Sequence, residues 1–168
     1  MAAPVEMGEE LELSIESLAY GGNGVARHDG FVVFVRGGLP GDRVRGRVTK
    51  VKRGFAEAIT RAVLEPGPRR VDAPCGHYGV CGGCRFQDLA YDAQLEAKEQ
   101  QVRNALVRIA RIDEPPLEPI VPAESIFAYR NKLEYSFTSG DDGVSLGFHR
   151  AGRAVRDRVL RGRTSPLP

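Results

Sequence analysis

"GLPGDRVRGRVTKVKRG", Gly38 to Gly54, decides how this chain folds. It opens on a Pro40-Gly41 turn. Val44, Val48 and Val51 then lie among Arg43, Arg45, Arg47, Lys50 and Lys52. Side chains on a strand alternate between its two faces, so Arg43, Arg45 and Arg47 share one face and Val44 and Val48 the other. The pattern describes a strand with an apolar inner side and a cationic outer side.

The flanking sequence has the same character. "LELSIESL" (11–18) alternates Leu11, Leu13 and Ile15 with polar residues, as a half-buried strand does. "AYGGNGVARHDG" (19–30) packs Gly21, Gly22, Gly24 and Gly30 around turns. "FVVFVRG" (31–37) is short and nearly all apolar, a strand buried on both faces or closing a barrel, and "FAEAITRAVL" (55–64) is a fifth candidate, with the glycine-rich stretch counted among the segments. Five short strands within about 55 residues predict a small barrel of the oligonucleotide-binding type. Such a barrel has no room for a catalytic cavity, but it offers an outer face to a nucleic acid.

Composition agrees with a β-biased chain. The 168 residues include 20 Gly and 11 Pro, no Trp and 7% aromatics, so the core must rest on Val, Leu, Ile and Ala. No apolar run approaches the ~20 residues of a membrane span. The N-terminal residues lack a signal pattern, so the expectation is a cytoplasmic protein without membrane contact; a monomer is the separate expectation for its assembly. The net charge of +2 conceals an asymmetry. Residues 41–70 hold nine bases against Asp42, Glu57 and Glu65, and residues 149–168 hold six Arg against Asp157. Clustered bases favour a phosphate-rich partner. The best local candidates for phosphate contact are Arg43, Arg45, Arg47, Lys50, Lys52 and Arg53. Tyr20 and Phe55 are candidates for base stacking or for barrel caps.

Beyond the barrel, "EPGPRRVDAP" (65–74) is an irregular link. "CGHYGVCGGC" (75–84) then gathers all three cysteines, Cys75, Cys81 and Cys84, with C-x5-C-x2-C spacing. Glycines between the thiols free the backbone to wrap a metal centre. Zinc requires a fourth Cys or His, and His77 sits awkwardly close to Cys75. A [4Fe–4S] cube takes four thiolates, commonly three from a compact run and one from far along the chain. Neither set is complete here. From about Leu89 to Ile112 the period changes: Leu95, Val102, Leu106 and Ile109 form one stripe of an amphipathic helix, with Asp88 or Asp92 as its cap and "DEPPLEP" (113–119) as its end. Two further strands follow, "YRNKLEYSFTSG" and "GVSLGFHR", joined by a "GDDG" turn. "AGRAVRDRVLRGRTSPLP" (151–168) is an aperiodic basic tail.

Taken in order, "YGGNGVAR", C-x5-C-G-G-C, "FQDLAYDAQLEAKEQQV", "YRNKLEYSF" and "LGFHRAG" resemble the bacterial RNA (uracil-5-)-methyltransferases of 23S ribosomal RNA or tRNA, over roughly residues 9–152. The resemblance implies an RNA-binding TRAM domain at 9–64, after a flexible start at 1–8. It implies a linker and cysteine cluster at 65–88, a helix at 89–112, and part of a central α/β domain at 113–150. The fold class is therefore mainly β with α+β. The resemblance further implies that Cys75, Cys81 and Cys84 are three ligands of a [4Fe–4S] cluster, and that Tyr129, Arg130 and Asn131 line the RNA path.

Two departures stand out. The family's fourth cluster cysteine follows the "LGFHRAG" strand, and none occurs here. The family's S-adenosylmethionine-binding and catalytic domain has no counterpart in these residues, so no catalytic or cofactor-binding residue is assigned. The expectation is a coding frame disrupted near Gly152, or otherwise a short paralogue with a basic tail. The function expected is the RNA-binding part of an S-adenosylmethionine-dependent RNA (uracil-5-)-methyltransferase, with ribosomal RNA ahead of tRNA and inactive alone. The alternative is a stand-alone TRAM-type RNA-binding protein. Lys132 carries a weaker claim to RNA, because Glu134 is placed to pair with it. The central strands, without further chain to pack on, are expected to leave an exposed apolar face.

Overall fold

The computed structural model describes residues 3–129, 131–132, 134–140, 143–151 and 160–161. These form two compact units. One comprises Met1–Val71 with Asp88–Pro122, the other Asp72–Gln87 with Ala123–Pro168.

The first unit is built on β1 (Glu10–Ser14), β2 (Ser17–Leu18), β3 (Gly24–His28), β4 (Phe31–Arg36), β5 (Arg43–Val51) and β6 (Phe55–Glu65), in the sheet order β1-β5-β6-β4-β3-β2. All pairings are antiparallel except β4 with β6. The two edge strands, β1 and β2, are separated by two residues only. Ile15 N–H donates to the Asp42 carbonyl and Glu16 N–H to the Val25 carbonyl, so one bent segment pairs first with β5 and then with β3. This closes the sheet on itself; with β1 and β2 counted as one bent strand, it is the five-stranded oligonucleotide-binding-type barrel expected from the sequence. β3 lies inside the glycine-rich stretch that reads as turns.

Closure requires glycine at one corner. A Cβ on Gly24 would lie 2.7 Å from both the Gly38 carbonyl oxygen and Ile15 Cγ2. The Pro40-Gly41 turn forms as expected: Asp42 N–H donates to the Leu39 carbonyl at 2.9 Å and Gly41 takes φ +87°, the left-handed position of a type II turn. The core is aliphatic. Leu11, Leu13, Ile15, Val33, Val35, Val44 and Val48 are buried together with Ala26, Ala56 and Ala58. Val5, in the stretch expected to be a flexible start, joins this core, and Gly8 N–H pairs with the Val48 carbonyl.

The chain leaves this unit after Val71 and re-enters it at Asp88. Val71 N–H donates to the Asp88 carbonyl and Ala90 N–H to the Arg69 carbonyl. Leu89 is buried between these bonds. Helix α1 spans Tyr91–Arg108, shorter at both ends than the sequence pattern. Its N-cap is Ala90, with no side-chain cap; Asp92 instead lies in the first turn and pairs with Arg69 at 2.6 Å. The helix stops before the prolines, and Arg111 takes a left-handed φ of 58°. No helix residue is buried, and Val102 and Ile109 of the apolar stripe are 51% and 82% exposed. The helix is held by polar contacts instead: the Gln101 side chain donates to the carbonyls of Leu18 and Ala19. Among the described residues no helix is long and apolar enough to cross a membrane.

The second unit contains β7 (Ser136–Gly140), β8 (Gly143–Phe148) and β9 (Leu160–Arg161), an antiparallel sheet in that order. The hairpin sits where the sequence places it, and Asp141 and Asp142 of its turn lie outside the described residues. The first strand begins at Ser136, not Tyr129, and β9 falls in the stretch that reads as aperiodic. Phe137 and Val144 are 75% and 72% exposed, the uncovered apolar face that was expected. Tyr135 and Phe148 pack ring on ring at 4.7 Å, and Ser136 Oγ lies 2.7 Å from His149 Nε2.

Candidate nucleic-acid interface

β5 delivers its side chains as the alternation requires. Val44, Gly46 and Val48 face the core, and Arg43, Arg45 and Arg47 face out. Antiparallel pairing then decides which of these cations is neutralised. Register sets Arg45 opposite Glu12 of β1 and Arg43 opposite Glu65 of β6. Arg43 pairs with Glu12 at 3.0 Å and also hydrogen-bonds Glu65. That bond, and then the Glu65 charge, raises the guanidinium pKa further. Arg45 lies 3.9 Å from Glu12, and Lys50 lies 3.3 Å from Glu57. Arg47, Lys52 and Arg53 have no carboxylate within 4 Å among the described residues.

The outer face is therefore graded. Its Arg43 end is tied to acidic neighbours, while Arg47 and the β5–β6 turn carry unmatched positive charge. Sequence reasoning missed Arg61 as a member of this set. Across the two strands Arg45 pairs with Ala62 and Gly46 with Thr60, so Arg61 is the extra residue of a β-bulge. It is exposed, and bulges re-aim side chains.

Of the two stacking candidates, Tyr20 is 93% exposed. Phe55 is half-buried with its ring edge-on to Phe34 at 5.4 Å, a barrel-capping contact. Tyr129 and Asn131 are exposed and belong to the second unit, and Arg130 lies outside the described residues. Lys132 does pair with Glu134, at 2.9 Å.

Behind β5 sits a buried charge. The Asp42 carboxylate accepts from the N–H groups of Leu39 and Gly67, each at 2.8 Å, and from Arg70 at 2.6 Å. Arg70 also pairs with Asp88. Burial pushes the Asp42 carboxyl up, but the bonds from Arg70, Gly67 and Leu39 together outweigh it and hold its pKa below the ordinary value.

The three cysteines lie on a loop of successive turns. Tyr78 N–H bonds the Cys75 carbonyl, and Cys81 N–H bonds the His77 carbonyl. Gln87 links two of them, its Oε1 accepting from Cys75 N–H at 3.1 Å and its Nε2 lying 3.8 Å from Cys84 Sγ. Gly83 N–H points at Cys81 Sγ at 3.4 Å. Cys81 bridges antiparallel to Arg150, with Gly82 N–H on the His149 carbonyl and Ala151 N–H on the Val80 carbonyl. Among the described residues, however, no three His, Cys, Asp or Glu side chains converge into a set that would hold a metal ion.

A TRAM domain family model matches residues 4–60. An uncharacterized RNA methyltransferase of Nitratidesulfovibrio vulgaris is 43% identical over 146 residues, 86% of this chain and 31% of the relative. One of Bacillus cereus is 38% identical over 152 residues, 90% of this chain and 33% of the relative. Among solved structures, the tRNA (uracil-54, C5)-methyltransferase of Pyrococcus abyssi, in complex with S-adenosyl-L-homocysteine, is similar with a TM-score of 0.54 and 27% identity, over 89% of this chain and 31% of that one. The chain thus spans about a third of the length of the relatives it matches.

Proposed function

We propose, from the premise that the chain belongs to the RNA methyltransferase family and carries its TRAM domain, that these residues are the RNA-gripping part of an S-adenosylmethionine-dependent RNA (uracil-5-)-methyltransferase. The observation that carries the reading is the closed barrel on which Arg47 of β5, and Lys52 and Arg53 of the β5–β6 turn, have no carboxylate within 4 Å among the described residues. Such cations bind phosphates and position RNA without reading its bases. Exposed Tyr20 adds a stacking surface for an unpaired base. Uracil C5 as the methylated atom rests on the sequence resemblance, with support from the similar solved structure. A uridine in ribosomal RNA is the first substrate to test and one in tRNA the second.

Cys75, Cys81 and Cys84 are proposed as ligands of a [4Fe–4S] cluster on the strength of that resemblance and of the amide groups placed at Cys81 and Cys84 sulfur.

The test is filter binding of the full chain to unmodified 23S ribosomal RNA fragments, unmodified tRNA and a duplex DNA of equal length. The reading expects RNA to be retained at least about tenfold more tightly than DNA. Equal retention, or none, contradicts it.

A further inference from the structure

The N-terminal turn does more than cap the barrel. Glu9 N–H bonds the Glu6 carbonyl, Gly8 N–H bonds the Val48 carbonyl and Val48 N–H bonds the Glu9 carbonyl, which lays Met7 and Gly8 beside the outer face of β5. Between this turn and the β5–β6 ribbon lies an open depression of about 440 Å³, lined by Met7, Gly8, Arg47, Val48, Thr49 and Arg61.

Two cations reach one depression. Arg47 stands opposite Ile59, two residues before Arg61, so the two arginines are diagonal neighbours across the pair. Arg61 follows Ile59 on the outward side of β6 and is exposed. Neither guanidinium has a carboxylate within 4 Å among the described residues. Two unmatched like charges facing one hollow repel each other until an anion lies between them. Arginine's planar fork suits a phosphodiester, which accepts two parallel hydrogen bonds from it. Met7, 77% exposed, supplies a soft apolar wall of the kind that accommodates an aromatic base.

We propose that this depression is a nucleotide-binding subsite, in which Arg47 and Arg61 clamp one backbone phosphate of single-stranded RNA and Met7 receives the adjoining base. The proposal rests on the RNA-binding reading above and adds a location to it. It places the RNA at the Arg47–Arg61 end of the barrel face and away from Arg43, whose charge Glu12 and Glu65 already answer.

The test uses the full chain, a fluorescein-labelled 12-nucleotide uridine oligomer, and anisotropy across a salt series. The double variant Arg47→Ala/Arg61→Ala is expected to bind about tenfold more weakly at low salt. Its slope of log K against log salt should fall by about 1.4, two cations at about 0.7 each for a single strand. Arg43→Ala/Arg45→Ala is expected to change affinity less than threefold. If the wild type binds and the Arg47/Arg61 variant binds equally well, the subsite is wrong and the RNA reading stands. If the wild type itself does not bind, the RNA reading fails and takes the subsite with it. A measurement that needs no variant guards against misfolding. Photocrosslinking of the wild type to an oligomer carrying 4-thiouridine should label the peptide that contains Met7. Labelling confined to other peptides overturns the proposal.

Discussion

Arg70 Nη2 lies 2.6 Å from Oδ2 of Asp42, a carboxylate whose side chain has no solvent exposure. The pair pins the residue that follows the Pro40-Gly41 turn to the segment that leaves the barrel. The same carboxylate holds the N–H groups of Leu39 and Gly67. Asp42→Ala would strip a partner from each of these buried groups at once. Removing one member of a buried pair costs about 3–5 kcal/mol. Arg70 keeps its contact with Asp88, so the expected loss is about 3 kcal/mol, read by urea unfolding with unchanged m-value. A loss below about 1 kcal/mol would show that the network is ornamental to stability.

The same carboxylate sets an acid limb. Its folded pKa lies below the unfolded value of 3.8 because the bonds from Arg70, Gly67 and Leu39 outweigh burial. A depressed pKa contributes stability that is present above the unfolded pKa and lost as pH falls through the folded one. Thermal melts between pH 7 and pH 2 should therefore show a decline beginning near pH 4. In Asp42→Asn the protein should be less stable at pH 7 and the decline shallower. An identical acid limb in both proteins would assign it to other carboxylates.

Gly24 tests barrel closure. Alanine there would place Cβ 2.7 Å from the Gly38 carbonyl oxygen, and backbone cannot move aside as a side-chain end can. Overpacking of this kind costs about 1–3 kcal/mol. Gly21→Ala meets no atom within 4 Å but sits at φ +87°, so its cost is conformational alone. Denaturation midpoints of the two variants separate the effects: a Gly24→Ala protein as stable as wild type would argue that the corner is loose.

Leu13 is 1% exposed at the centre of the aliphatic core. Leu13→Ala should destabilise by about 2–5 kcal/mol through lost burial and the cavity left behind. RNA affinity measured well below the melting temperature should be unchanged, because Leu13 points away from the cationic face. A selective loss of affinity in a folded Leu13→Ala protein would indicate that the core shapes the interface.

Much of this was legible in the chain itself. The alternations of Leu11, Leu13 and Ile15, and of Val44 and Val48, report period-two burial directly, and the Pro-Gly turn declares its own geometry. The strand Gly24–His28 was obscured because glycines that permit close packing at the barrel corner also signal turns. The helix was located by its spacing, yet spacing along one element does not say whether anything covers the stripe. Neutralisation of Arg43 and Arg45 was invisible for a related reason: Glu12 and Glu65 meet them only through cross-strand register. Arg61 follows Glu57 and Ile59 on the outward side of β6, but only the cross-strand register brings it beside Arg47. Asp42 read as a turn residue, and only the return of Arg70 makes it a buried anchor.

The central claim is that this barrel face binds RNA through its phosphates. The most direct measurement is the affinity of the full chain for a single-stranded RNA oligomer between 50 and 300 mM salt. Arg47, Lys52, Arg53 and Arg61, which have no carboxylate within 4 Å among the described residues, predict by themselves a slope of log K against log salt of about −2.8. A slope near zero, or affinity no greater for RNA than for a neutral polymer of the same length, would contradict the account.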